Sequence, residues 1–162
     1  MLILNTGGTF NKRYEPLTGK MEVPFDNVAI EKILEKFTYE VELAGVMYKD
    51  SLDIEMEDRK IIAKIIAASK DTHFIVVHGT DTMDITASFF AEIFVDRVII
   101  LTGAMVPFEV DPVEATANLS MALGYAKAQK EPGIYIAMQG SVEKYDKLQK
   151  NRKIGKFELV QD

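Results

Sequence analysis

Cysteine is absent from this 162-residue sequence. Disulfides and thiol chemistry are therefore excluded, and nothing points to a redox compartment. Histidine is scarce, with His73 and His78 the only two. They stand five residues apart along one apolar run, so as strand residues they point to opposite faces and make a poor metal pair. Neither is placed to serve as the base of a serine-type triad, and no metal site is expected. No apolar run approaches membrane-spanning length. The glycine-rich stretches lack the spacing of a dinucleotide fingerprint or a Walker A loop, and no cofactor is implied. The net charge of −6 argues against a nucleic-acid backbone as partner. The first apolar run begins at Met1, leaving no room for the charged segment and cleavage site of a leader. A cytoplasmic protein is the expectation.

What is present is ordinary in bulk and specific in detail. Hydrophobic residues make up 48% and charged residues 27%, as in a soluble globular chain. The length suits a single domain, 1–162, with a substantial core. The chain is organised around Phe74-Ile75-Val76-Val77, which reads as a buried parallel strand. It stops at His78-Gly79 and is followed by Thr80, Asp81 and Thr82, residues that prefer caps and turns. From Met83 the period becomes helical, with Thr86, Ala87, Phe90 and Ala91 on the same face. Met1-Leu2-Ile3-Leu4 repeats the design, a short strand running into Asn5-Thr6-Gly7-Gly8-Thr9. Paired glycines tolerate positive φ and let backbone amides approach a ligand. Two strand ends that each present a threonine suggest one shared pocket.

Taken in order, residues 11–24 read as an irregular polar loop, and such loops at strand ends often act as lids. Asp26 then caps a helix with Val28, Ile30, Ile33, Leu34 and Phe37 on its buried stripe. A strand is expected over 39–47, a helix over 56–69, the central strand, a helix over 82–94, and a strand over 97–102. Asp111-Pro112 is a strong helix start, and Glu131-Pro132-Gly133 ends that helix before a strand over 134–138. The lysine-rich tail from Gln139 to Lys156 reads either as a flexible surface segment or as a loop folding back over the strand ends, with a short strand near 157–160. Alternating strands and helices give an α/β fold: an open, mainly parallel sheet with helices on both faces, a Rossmann- or flavodoxin-like three-layer sandwich.

The strand ends collect Thr6, Thr9, Ser51, Asp53, His78, Thr80, Asp81, Thr102 and Gln139. Most such residues have plain explanations. A threonine at a strand end is usually a helix cap, Asp81 can be an N-cap, and Ser51 and Asp53 can cap the next helix. His78 borders an apolar strand and reads as a hydrogen-bonded core histidine, and His73 as a surface one. The chemistry that remains is a threonine nucleophile, whose hydroxyl needs a partner to take its proton. Without a suitable histidine, that partner is a lysine or a tyrosine, and lysine serves as a base when burial lowers its pKa. Glycine turns can supply amide donors to an oxyanion. Asp81 and Ser51 suit a small zwitterion, carboxylate to ammonium and hydroxyl to carboxylate.

Thr6-Gly7-Gly8-Thr9, His78-Gly79-Thr80-Asp81-Thr82-Met83 and Thr102-Gly103-Ala104-Met105 resemble, in order and spacing, the signature segments of bacterial-type L-asparaginases. That family includes glutaminase-asparaginases and the asparaginase-like subunit of a tRNA-dependent amidotransferase. The resemblance covers nearly the whole chain but only the family's larger N-terminal domain, so its C-terminal domain is absent. It implies that Thr9 is the nucleophile, that Tyr14 on a lid activates it, and that Thr80 is bonded to a lysine. It also implies that Asp81 holds the substrate's α-amino group and Ser51 its α-carboxylate, with Gly8, Gly79 and Ala104 completing the pocket. An ungapped register from Gly133 puts Lys150 on the catalytic lysine, with Lys147 and Lys153 as alternatives. Val106 stands where the family usually has arginine, and residues 108–117 lack its Ser-Asp-Gly, although Asn118-Leu119 persists. The resemblance implies a homodimer or higher homo-oligomer and a small amide substrate, L-asparagine first. Two other functions stay open: a binding or regulatory protein that keeps the pocket without turnover, and a subunit that meets its missing half in another polypeptide.

Overall fold

A computed structural model of the chain describes residues 1–160. Its centre is β1 (Leu2–Gly7), paired in parallel with β4 (Glu42–Lys49) on one side and β5 (His73–Val77) on the other. Beyond β5 come β6 (Val98–Thr102) and β7 (Gly133–Met138), also parallel. An antiparallel strand, β8 (Ser141–Lys144), closes that edge, giving the order β4-β1-β5-β6-β7-β8. This is the expected open, mainly parallel α/β sheet.

Strand residues alternate between two cores, as a period of two requires. Ile3, Ile75, Val77, Val98 and Ile100 face α1 (Val28–Leu34) and α4 (Pro112–Ala128), where Ile30, Ile33, Leu119 and Leu123 meet them. Leu4, Phe74, Val76, Ile99 and Leu101 face α2 (Met56–Ala68) and α3 (Met83–Ile93), against Ile62, Ile66, Ala87 and Phe90. Both faces of the strands are thus dry, which is why the strands read as unbroken apolar runs. Helix starts follow local chemistry. At α1 the N-cap is Asn27, without a side-chain cap bond, rather than the expected Asp26, which lies one residue earlier and accepts from the Val28 amide at 3.1 Å; at α4 Asp111 Oδ1 accepts from the Val113 amide at 3.0 Å with Pro112 at the first helical position. Among the described residues, no helix is long and apolar enough to cross a membrane.

Three segments differ from the sequence reading. The loop over 11–24 contains a hairpin, β2 (Arg13–Glu15) with β3 (Lys20–Glu22). Its strands are too short to show alternation. The strand expected over 39–47 is shifted to Glu42–Lys49, an edge strand whose mixed burial blurs its pattern. The tail is regular. After β8 it forms a second hairpin, β9 (Leu148–Asn151) with β10 (Lys156–Leu159), which folds back over the strand ends. Of the two readings of the tail, the fold-back is the one found.

The order of the sheet places a crevice. After β1 the chain crosses to β4 on one side, whereas β5 leads to β6 on the other. Ligands in open α/β folds lie outside the carboxyl ends of the strands at such a switch point. Here those ends are the turns that follow β1 and β5.

Candidate active site

The turn after β1 is built for close approach. Gly7 and Gly8 have φ of +96° and +74°. A Cβ on Gly8 would lie 2.5 Å from both Cα and N of Gly79, so the two turns touch backbone to backbone. A Cβ on Gly79 would in turn lie 2.4 Å from the Cβ of Ser51. Only glycine at both places lets the three segments meet. Thr9 follows Gly8 directly at the start of a single 3-10 turn, Thr9–Asn11, and is partly buried. Its hydroxyl has no hydrogen-bond partner among the described residues. Asn5 and Asn11 pin this turn from inside: Asn5 Oδ1 accepts from the Gly7 amide at 2.9 Å and from Asn11 Nδ2 at 2.8 Å.

The turn after β5 carries the charged centre. Lys150 Nζ on β9 donates to Thr80 Oγ1 at 2.8 Å and to Asp81 Oδ1 at 2.7 Å. The lysine side chain is only 12% exposed and the aspartate 36%. Lys150, seventy positions along the chain from Thr80, therefore folds back onto the second turn. Lys153 lies exposed on the hairpin turn, with its amide bonded to Asn151 Oδ1, and Lys147 precedes β9. Ser51 is 2% exposed; its hydroxyl accepts from the Asp81 amide at 3.3 Å, and its carbonyl accepts from Thr82 Oγ1 at 2.7 Å. It does not cap α2, because Asp58 reaches back to the Glu55 amide there. Burial alone would raise the Asp58 carboxyl, but hydrogen bonds from Lys49 and the Glu55 amide outweigh it and hold the group below the usual range.

Other strand-end residues do something else. Thr6 Oγ1 donates to the Val77 carbonyl at 2.8 Å and Thr102 Oγ1 to the Ala137 carbonyl at 2.8 Å, each stitching neighbouring strands rather than capping a helix. Ala104 is buried in the core on the α4 side. Tyr14 is 57% exposed on β2; its amide donates to Glu109 at 2.8 Å, its hydroxyl sits beside Gly19, and no hydrogen bond joins it to Thr9. His78 is fully buried, as read from sequence, and burial pushes its imidazole down to about 4. His73 is half-buried, with Nε2 bonded to the Gln129 carbonyl at 2.9 Å.

Several groups at the site carry roles that the sequence did not assign to them. Met105 Sδ accepts from Thr80 Oγ1 at 3.4 Å. Glu114 Oε2 accepts from the amides of Met105 and Val106 at 3.1 and 3.0 Å, holding the loop after β6. Asn118 Nδ2 donates to the Gly103 carbonyl at 2.9 Å and Asn118 Oδ1 accepts from the Gln139 amide at 2.9 Å. Arg152 on the β9–β10 turn donates to the Asp81 carbonyl at 2.5 Å. Of these, Met105 and Asn118 stand in segments quoted for the resemblance, whereas nothing in the sequence marks Glu114 or Arg152. The two turns thus bring Gly8, which precedes Thr9, against Gly79, which precedes the Thr80 and Asp81 bonded to Lys150.

Known proteins share this fold. L-asparaginase of Thermococcus kodakarensis is 28% identical over 147 residues, covering 88% of this chain and 44% of that protein. The solved structure of the thermostable L-asparaginase from the same organism superposes with a TM-score of 0.84 at 25% identity, covering 98% of this chain and 50% of the other. A glutamyl-tRNA(Gln) amidotransferase component of Methanococcus maripaludis is 30% identical over 149 residues, covering 85% of this chain and 34% of that protein. The chain thus spans between about a third and a half of the curated relatives it matches. The family model for the asparaginase N-terminal domain matches residues 1–155. With that match over nearly its whole length, on the fold and turns just described, the chain belongs to the asparaginase family.

Proposed function

We propose that this chain is an amidohydrolase that converts L-asparagine, or a related small amide, to L-aspartate and ammonia. The observation that carries the reading is the bonding of Lys150 to both Thr80 and Asp81 at the turn packed against Gly8-Thr9. Asp81 pairs with the substrate's α-ammonium and Ser51 with its α-carboxylate. The Thr9 hydroxyl attacks the side-chain amide carbon, and its proton passes to Tyr14 or to the Thr80–Lys150 pair. A backbone amide of the turn at Gly79 steadies the oxyanion, whereas the Gly8 amide is taken by the Lys49 carbonyl at 2.8 Å. As the tetrahedral species collapses, the carbon–nitrogen bond breaks and the nitrogen leaves as ammonia with that proton. Water then hydrolyses the threonyl ester, releasing aspartate and restoring the hydroxyl.

The test is ammonia release from a panel of amides by the wild type, Thr9→Val, Thr80→Val and Lys150→Met. We expect wild-type turnover and a loss of roughly a hundredfold or more in each variant, with folding retained. A robust wild-type rate that persists in Thr9→Val would remove the threonine nucleophile. We also propose that the protein works in the cytoplasm as a homodimer; light scattering on the same sample checks the assembly, and a monomer at all concentrations would sink it.

The similarity to the amidotransferase component favours one second reading, a polypeptide that completes its site with another. It predicts slow turnover alone and a partner that co-purifies from the native cell. Saturable aspartate binding without any hydrolysis would instead mark a binding protein.

A further inference from the structure

His78 and Arg59 are buried titratable groups that the proposed reaction does not use, and they lie on one chain of hydrogen bonds ending at the second turn. Arg59, on α2 and 5% exposed, donates from Nε to Thr86 Oγ1 at 2.9 Å. Thr86, on α3 and fully buried, is 2.9 Å from His78 Nε2. His78 Nδ1 is 2.8 Å from the carbonyl of Gly79. A carbonyl only accepts, so Nδ1 carries the hydrogen, and in a neutral ring Nε2 then accepts from the Thr86 hydroxyl, which lies nearer to it than to its other acceptor, the Thr82 carbonyl at 3.3 Å. Every polar atom of the imidazole is thereby satisfied without a charge. Asp58 and Asp84 stand near Arg59 and offset its buried cation. The lowered protonation of His78 agrees with a ring held neutral beside that cation.

The end point of this chain is what gives it consequence. In a planar trans peptide the Gly79 carbonyl and the Thr80 N–H point in opposite directions. A carbonyl drawn inward to the buried imidazole aims the Thr80 amide out of the interior. That amide has no acceptor among the described residues. The same Gly79 backbone is the surface on which Gly8, the residue before Thr9, is stacked.

We propose that His78 is a positioning residue, locked by Thr86 and Arg59, that fixes the Gly79–Thr80 peptide so that the Thr80 amide is presented to the crevice as an oxyanion donor. The proposal rests on the amidohydrolase reading for its kinetic test and on the hydrogen-bond chain for its spectroscopic one.

Thr86→Val keeps the shape but removes the hydroxyl that orients the ring, and Thr86→Ser restores it. The expected result for valine is a kcat lowered roughly tenfold or more with KM within about twofold, and recovery with serine. A loss of packing alone lowers the melting temperature without moving kcat of the folded protein. Near-wild-type kcat in Thr86→Val overturns the proposal. Where valine unfolds the chain, His78→Asn is the second variant, because its amide can still donate to the Gly79 carbonyl; it should keep a larger fraction of kcat than His78→Leu, and equal losses in the two would also overturn it. Imidazole nitrogen spectra of the wild type should show Nδ1 protonated and Nε2 bare at pH 7. The opposite tautomer refutes the chain whether or not the enzyme turns over. If no amide is hydrolysed but this tautomer is found and the Thr80 amide resonance shifts in Thr86→Val, the amidohydrolase reading fails and the positioning holds.

Discussion

Gly8 is under two constraints at once. Its φ is +74°, in the region that L side chains avoid, and a Cβ there would press against Gly79 backbone at 2.5 Å. Neither neighbour can give way without moving a threonine turn. Gly8→Ala should therefore lose about 2 kcal/mol or more in urea unfolding and nearly all ammonia release. Gly124, inside α4 with open space around it, is the control: alanine there should gain up to about 1 kcal/mol and leave activity unchanged. The same physics explains how far single residues are legible. Thr9, Thr80 and Asp81 stand out because alcohols and a carboxylate follow apolar runs at glycine turns. Thr6 and Thr102 carry an identical signal yet spend their hydroxyls on neighbouring strands. The distinction depends on which carbonyl lies across the sheet, and one sequence does not encode that locally. Lys150 is reached only through the register of the resemblance, since nothing in a polar, lysine-rich tail marks one lysine above its neighbours.

Among the elements, the buried ones are readable and the hairpins are not. β1, β5, β6 and β7 each carry an apolar run because helices cover both faces, and α2 to α4 carry stripes and caps within a residue or two of their expected ends. β9 and β10 are four residues each and paired with one another, and only Leu148 and Phe157 anchor them to the core. Yet this hairpin delivers Lys150, so its turn geometry should matter more to activity than to stability. The turn depends on Gly155, whose φ is +65° and whose amide donates to the Asn151 carbonyl at 2.9 Å. Asparagine tolerates that conformation and a β-branched residue does not. Gly155→Asn should keep most of the wild-type rate. Gly155→Val should lose roughly tenfold in kcat while the melting temperature falls only a few degrees, as expected for a local strain of about 1–2 kcal/mol. Equal rates in the two variants, measured on folded protein, would uncouple the hairpin from the chemistry.

For the molecule as a whole, stability in acid should divide into two ranges with different owners. His78 titrates near its ordinary 6.5 in the unfolded chain but is pushed down to about 4 in the folded one, chiefly by burial, with Arg59 adding to it. Between those values the unfolded chain binds a proton that the folded chain refuses. Stability contributed by the neutral imidazole is therefore complete above pH 6.5 and is lost as pH falls toward 4. The full difference corresponds to about 3 kcal/mol. The carboxylates act lower. Burial raises the Asp50 carboxyl, but bonds from Lys12 and the Leu52 amide outweigh it and leave the group below the usual range, as at Asp58. Their contribution fades as pH falls through about 4, the range in which an unfolded carboxylate takes up its proton. Urea unfolding of the wild type should thus weaken by roughly 3 kcal/mol between about pH 7 and pH 4, then weaken further below it. In His78→Asn the first decline should flatten while the second remains. A variant that loses as much stability as the wild type over the upper range would show that another group governs it, and the buried imidazole would then have no part in the acid response.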